Sequence, residues 1–431
     1  MNVAELVRPT LMRWLASGTR QSLMRFGHEA VRRARFQPVR LIYFHRSDDP
    51  YCQLMVQALP ELAERFDVTV EPRVIERLPA AMYPDPARYE ALSILDAARM
   101  ARLYGIGFPV TAMVPDRLSV SMANRYLASR QDDPAFFSIA EEIGAKLWRR
   151  DGAAIRSICG PADMDGAALR ANEKLLGRLG HYASATVYCG GEFYPGLERL
   201  DHLERRLNAM DLGDGEVHFE LHRLWRHGLQ RMDRLIAGRT IDLFFSVRSP
   251  YSYLALSLMR DLMRATAVQI RLKPVLPMVM RGLPVPPMKG RYILFDAGRE
   301  ARLENLPFGH IADPVGRATE RAMAVGMALG QGGQDFDFFH AFMCQVWAEG
   351  REGASDAGLA RALEMAGISR AAIVRALPDD VWRVRAHENL QDMMRRGSWG
   401  VPTLSAGGET LWGQDRIWAA LDALQQPPVT H

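Results

Sequence analysis

Slid along itself by 200 residues, the chain matches itself. "LDAARMARL" (95–103) falls on "FDAGREARL" (295–303) with six identities in nine positions, and Phe44, Pro50, Tyr51 and Leu54 fall on Phe244, Pro250, Tyr251 and Leu254. Further on the displacement becomes 217, and "GHYASATVYCGGEFYPGLERL" (180–200) lies without gaps on "GSWGVPTLSAGGETLWGQDRI" (397–417), with seven identities in 21 positions. Collinear matches of this kind point to two copies of one unit, which restricts the fold to something that can be built twice in tandem.

Each copy has the same grammar. A β-branched and aromatic run ("VRLIYFH", "TIDLFFSV") leads into a proline-started helical pattern, then a second short strand ("DVTVEPRVI", "AVQIRLKPV"). After a long helical stretch, two apolar runs flank Gly-Gly, the signature of a hairpin, and a closing helix follows. Two strands joined across a helix are parallel, so each copy is α/β with a helical insertion. The expected organisation is a basic helical segment at 1–36, a first domain at 37–210, a linker helix at 211–237 and a second domain at 238–431.

Composition narrows the function. Among 431 residues the net charge is +4, and Lys146, Lys174, Lys273 and Lys289 are the only lysines, too mild a surplus to suggest nucleic acid. Cys52, Cys159, Cys189 and Cys344 are scattered, without C-x-x-C or metal-ligand spacing, which favours a reduced, cytoplasmic setting. No run of 18 apolar residues offers a membrane span. The basic first 36 residues pack on their own protein, lie on an anionic membrane surface or resemble a targeting peptide, the first being the expectation.

In "SVRSPYSYLA" (246–255), Ser249 precedes Pro250 at a helix start. Serine is a good N-cap and proline suits the first turn, so a structural account is complete in itself. A helix N-terminus also presents unpaired N–H donors and partial positive charge, which stabilise an anion such as a thiolate. Downstream, "GVPT" (400–403) admits a cis peptide at Pro402, leaving the Val401 backbone free to pair with an extended ligand. In "GQDR", Asp415 either caps the last helix or holds an ammonium group.

S-P-Y-S-Y-L-A at a helix start, a late G-V-P-T and a G-x-D-R before the final helix resemble the DsbA-like thioredoxin-fold proteins. Within them the resemblance is to the branch of 2-hydroxychromene-2-carboxylate isomerases and kappa-class glutathione transferases, where serine opens the tetrapeptide that is C-x-x-C in oxidoreductases. It implies two tandem thioredoxin-like domains, each with a helical insertion, and glutathione as cofactor in the second. By the same resemblance Ser249 is the catalytic hydroxyl holding the glutathione sulfur as thiolate, with Tyr251 and Ser252 beside it. Val401 pairs with the cysteinyl unit, Pro402 is cis, and Asp415 accepts the γ-glutamyl ammonium. "PMKGRY" (287–292) resembles the family's P-x-K-x-x-Y, so Lys289 faces an anionic group.

Two positions depart from the family. "RGLPVPP" lacks the asparagine of its G-N-x-P-P loop, and Gln414 stands where the family has Ser or Asn. The implied activity is isomerisation or conjugation of a small aromatic electrophile; the rival readings are a binding protein that has lost its chemistry and a thiol oxidoreductase using Cys52.

The first copy lacks the same parts. Asp49 and Cys52 stand opposite Ser249 and Ser252, and Ala185 opposite Pro402; only Glu198, opposite Asp415, keeps its charge type. A degenerate domain serving as packing partner or as a wall of the substrate cleft is the expectation, the two copies supplying a dimer-like interface within one monomeric chain. On the linker, His218, His222 and His227 are read as solvent-exposed rather than as metal ligands, and no metal site is expected.

Overall fold

The computed structural model describes residues 10–160, 166–227, 229, 236–330 and 333–426. They form two compact units, Met24–Leu224 and Trp225–His431, the latter with Met1–Leu23. These are called the N-terminal and C-terminal units below.

In the N-terminal unit, helix α1 (Gly18–Ala34, beginning in the preceding segment) leads to strand β1 (Arg40–His45), helix α2 (Pro50–Phe66) and strand β2 (Thr69–Val74). Helices α3 (Pro86–Tyr104), α4 (Arg117–Ser129), α5 (Phe136–Trp148), α6 (Gly152–Cys159) and α7 (Ala167–Leu179) follow. The hairpin β3 (Thr186–Cys189) and β4 (Glu192–Pro195) and helix α8 (Leu200–Asn208) close the unit. The sheet order is β2-β1-β3-β4, with β1 and β2 parallel and the other pairs antiparallel.

The C-terminal unit repeats this plan with strands β5 (Thr240–Phe245), β6 (Gln269–Pro274), β7 (Thr403–Ala406) and β8 (Glu409–Trp412) in the order β6-β5-β7-β8. Helix α9 (Pro250–Ala265) joins β5 to β6. Helices α10 (Pro287–Leu303), α11 (Arg317–Ala328), α12 (Gln334–Trp347), α13 (Asp356–Met365) and α14 (Asp379–Arg395) form the insertion, and α15 (Ile417–Gln425) closes the unit. Both units are therefore thioredoxin-like α/β domains with helical insertions.

Local chemistry sets these elements. Asp49 and Ser249 are extended N-caps whose side chains accept the N–H of Tyr51 and Ser252, and Pro50 and Pro250 sit at the first helical turn. The central strands β1 and β5 are covered on both faces, which is why they read as apolar runs instead of alternating ones. Each hairpin turns on two glycines at positive φ, Gly190 (40°) and Gly191 (86°), and Gly407 (57°) and Gly408 (86°), the geometry a two-residue loop of this hand requires. At Gly407 a Cβ would stand 2.2 Å from the carbonyl oxygen of Ala423.

Matching positions carry matching bonds. Tyr51 donates to Asp96 at 2.7 Å, and Tyr251 to Asp296 at 2.8 Å, tying the first turn of α2 or α9 to the first insertion helix. Asn172 reaches the Val74 carbonyl at 2.8 Å, and Asn389 the Pro274 carbonyl at 3.0 Å.

The continuous linker helix expected at 211–237 is not what the described part forms. Residues 213–220 are irregular, because Gly213 and Gly215 interrupt the run and Asn208 draws the chain round by bonding Gly215 and Glu216; a 3-10 helix spans Leu221–Arg226. Residues 228 and 230–235 of that stretch lie outside the described residues. His222 is buried at 2% exposure and bonds Tyr104 at 2.8 Å, so the expectation of an exposed histidine fails there; His218 lies beside Glu61 at 3.2 Å. Among the described residues no three His, Cys, Asp or Glu side chains cluster as a metal site would.

Candidate functional site

In the C-terminal unit β5 runs antiparallel to β7, with Phe244 opposite Thr403. The chain leaving β5 towards Ser249 and the chain entering β7 through Val401 and Pro402 therefore meet at one end of the sheet. The loop before Ser249 is pinned on both sides: Arg248 makes two bonds to Asp313 (2.7 and 2.8 Å), and the indole of Trp347 donates to the Val247 carbonyl at 2.9 Å.

Ser249 is partly exposed. Its Oγ accepts the Ser252 N–H at 3.2 Å, which leaves its own O–H to be donated elsewhere, at the positive end of a 16-residue helix. Ser252 is fully buried, and its Oγ accepts the Ser246 N–H at 3.3 Å, so this second serine fastens the loop from inside. Tyr251 is committed to Asp296, which also holds Arg299 at 2.5 Å.

The Val401–Pro402 peptide is cis. Pro402 accepts the Gly413 N–H at 3.0 Å and Gly400 accepts the Thr403 hydroxyl at 2.7 Å; among the described residues neither the N–H nor the C=O of Val401 pairs with the protein. Trp399, just before this loop, is nearly buried and packs on Trp412 with ring centroids 5.4 Å apart. Lys289, in the first turn of α10, places its ammonium 5.5 Å from the centre of the Trp399 ring. Burial lowers its pKa to about 8, so this is not a solvated helix-start lysine. Asp415 pairs with Arg416 at 3.0 Å, and the 3-10 turn Gln414–Arg416 packs against α9. Gln414 is buried at 5% exposure, with an Nε2 that has no partner among the described residues.

Sequence reasoning missed Trp399 and the Arg248–Asp313 pair. Trp399 was readable as the aromatic preceding G-V-P-T, at the position Tyr182 holds in the first copy. The arginine–aspartate pair spans 65 residues and left no local signal.

The corresponding place in the N-terminal unit is filled by its own side chains. Asp49 is buried, accepts the Tyr51 N–H at 3.0 Å and receives the Ser184 hydroxyl at 2.5 Å. Ser184 is the counterpart of Val401. Burial raises the Asp49 pKa, opposed by Arg46 and by the Ser184 bond. Ala185, opposite Pro402, takes φ 52° in a trans chain and accepts the Gly196 N–H at 2.8 Å, as Pro402 accepts Gly413. Tyr89 and Tyr182 occupy the positions of Lys289 and Trp399, and Tyr83 joins them at ring distances of 5.1 and 6.3 Å. Cys52 is fully buried and accepts the Arg46 N–H at 3.2 Å; burial, reinforced by Asp49, pushes its thiol well above the ordinary range. That is the reverse of an activated thiol.

Residues 240–425 match the family model of the DSBA-like thioredoxin domain. A 2-hydroxychromene-2-carboxylate isomerase from Pseudomonas sp. (strain C18) is 26% identical over 197 residues, which cover 44% of this chain and 92% of that protein. Among solved structures, a 2-hydroxychromene-2-carboxylate isomerase (26% identity, 43% of this chain, 94% of that one) aligns with a TM-score of 0.38. A putative protein disulfide isomerase from Nitrosomonas europaea (17% identity, 44% of this chain, 99% of that one) aligns with a TM-score of 0.34. The matched part of the chain is the thioredoxin-like C-terminal unit, which has no C-x-x-C.

Proposed function

We propose that the C-terminal unit is a glutathione-dependent isomerase acting on a small, electron-poor aromatic substrate. The observation that carries this reading is Ser249: a partly exposed hydroxyl at a helix N-terminus, its oxygen taken by the Ser252 N–H and its hydrogen left to donate. A donor of that kind beside a helix N-terminus favours a thiolate over a thiol. Similarity to the Pseudomonas isomerase supports the same reaction class.

The residues present fit glutathione. Val401 offers an N–H and a C=O unclaimed among the described residues, the pairing edge an extended peptide needs, and the buried Gln414 amide has hydrogen-bonding capacity to spare. Asp415 would accept the γ-glutamyl ammonium and Lys289 would attract a carboxylate, of the tripeptide or of the substrate. Trp399 and Trp412 would wall the site and exclude water. When bound, glutathione supplies a reversible sulfur nucleophile for a conjugated double bond, whose addition and elimination exchange geometries with no net gain of electrons or protons. Ser249 lowers the cost of the sulfur anion at both stages, and the pinned loop 246–249 keeps its hydroxyl in place. A kappa-type transferase would use the same residues but retain the sulfur–carbon bond in its product.

Calorimetry with reduced glutathione tests the reading. Binding is expected, and the absorbance of the bound thiolate should titrate at a lower pH in the native chain than in Ser249→Ala. Absence of heat at about 10 mM glutathione, a level that would register even millimolar binding, overturns the proposal.

A further inference from the structure

Helix α1 is amphipathic, and from Met24 on its apolar face points away from the N-terminal unit. None of its residues is buried. Phe26 and Val31 are 74% and 52% exposed, and Gly27, Ala30 and Ala34 are exposed with them. At the α-helical angle these five fall within an arc of roughly 140°. Its polar face is the one seated on the N-terminal unit. Arg25 makes two bonds to Glu192, at 2.6 and 3.1 Å, and Met24 and His28 lie against the Gly190–Gly191 turn, where a Cβ on Gly191 would meet the His28 ring at 2.8 Å. A helix that folds only to cover a core does the reverse. Just beyond it Phe36 is 96% exposed.

Charge identifies what covers this face. Residues 1–36 hold seven arginines and two glutamates, a surplus of five, against +4 for the whole chain; the remaining 395 residues carry a net −1. Of the two glutamates, Glu29 is shared by Arg32 and Arg33 at 2.6 Å each, so these three side chains together keep one positive charge. Arg33 and Arg35 are exposed beside the apolar arc. A second copy of the same face would set arginine against arginine, whereas an anionic surface neutralises them. No described helix is long and apolar enough to cross a membrane.

We propose that helix α1 docks the protein on an anionic lipid surface, with Phe26 and Val31 entering the headgroup region and Arg33 and Arg35 meeting lipid phosphates. Apolar insertion and charge attraction each contribute, so loss of either weakens the association.

The test is co-sedimentation of the full chain with vesicles of phosphatidylcholine plus phosphatidylglycerol, and with phosphatidylcholine alone. Binding is expected to the anionic vesicles only, weakened about tenfold by Phe26→Glu or Val31→Glu and comparably by Arg33→Glu with Arg35→Glu, and suppressed in about 0.5 M salt. These positions are exposed, and an unchanged melting temperature shows that each variant has folded. Two results overturn the proposal: no sedimentation with anionic vesicles at about 1 mM lipid, a level that detects a millimolar-range association, or a concentration-dependent dimer that Phe26→Glu dissolves without any lipid binding, which would assign the face to a second copy.

Discussion

Asp49 and Ser184 are joined by a 2.5 Å hydrogen bond in the place where the other half of the chain presents Ser249 and the open backbone of Val401. A carboxylate of the protein itself occupies the helix N-terminus in the first unit. Its raised pKa means that the ionised form is disfavoured on folding. Between the unfolded value and the raised folded one the native state binds more protons, so this group lowers stability as pH rises through that window. Asp49→Asn keeps an acceptor for the Tyr51 N–H and a partner for Ser184 while removing the ionisation. It is expected to be neutral or stabilising once Asp49 is ionised in the native state, and Asp49→Ala to cost about 1–2 kcal/mol through the lost cap and the orphaned hydroxyl, as read by urea unfolding.

Lys289 titrates near pH 8 because it is largely withdrawn from water. Affinity for an anionic ligand in the C-terminal unit should fall as pH rises through about 8 and stay flat over the same range in Lys289→Met, measured by calorimetry. Stability moves the other way: the folded pKa lies below the unfolded one, so stability rises with pH from about 8 up to the unfolded value, a slope the variant should lose.

Cysteine reactivity should follow burial. Cys344 is partly exposed, whereas Cys52, Cys159 and Cys189 are buried, and the Cys52 thiol is strongly raised. Mass-resolved alkylation with iodoacetamide at pH 8 should label Cys344 first and Cys52 only when the protein unfolds. Rapid labelling of Cys52 in the native state would revive a thiol chemistry for the first unit.

Gly407→Ala should destabilise by roughly 2 kcal/mol or more, since φ is +57° and the new methyl meets the Ala423 backbone at 2.2 Å, which no side-chain movement relieves. Gly408→Ala, with φ +86° and open space around its Cβ, carries the conformational strain alone and should cost less. Thermal melts of the two variants separate the contributions.

Much of the fold was legible because the chain states its grammar twice. Proline after a capping residue marked the starts of α2 and α9, and Gly-Gly marked both hairpins. The linker defeated this reasoning: its histidines and leucines have helical spacing, but Gly213, Gly215 and the bonds from Asn208 break the run, and His222 turns inward to Tyr104. Within the candidate site, short motifs around Ser249, Val401 and Asp415 could be read directly. The setting of Lys289 could not, since it depends on Trp399, 110 residues away in sequence, and neither residue announces the other. Nor did the sequence indicate that Ser184 would reach Asp49, a contact across 135 residues.

The ties from Tyr51 to Asp96 and from Tyr251 to Asp296 differ by only 0.1 Å, although the residues around them have changed in kind. The mounting is thus independent of what is mounted on it, and the site is portable. Placing Ser, Val and Pro at positions 49, 184 and 185 should free the helix terminus of the first unit without loosening that tie, while Tyr83, Tyr89 and Tyr182 still fill the ground beside it.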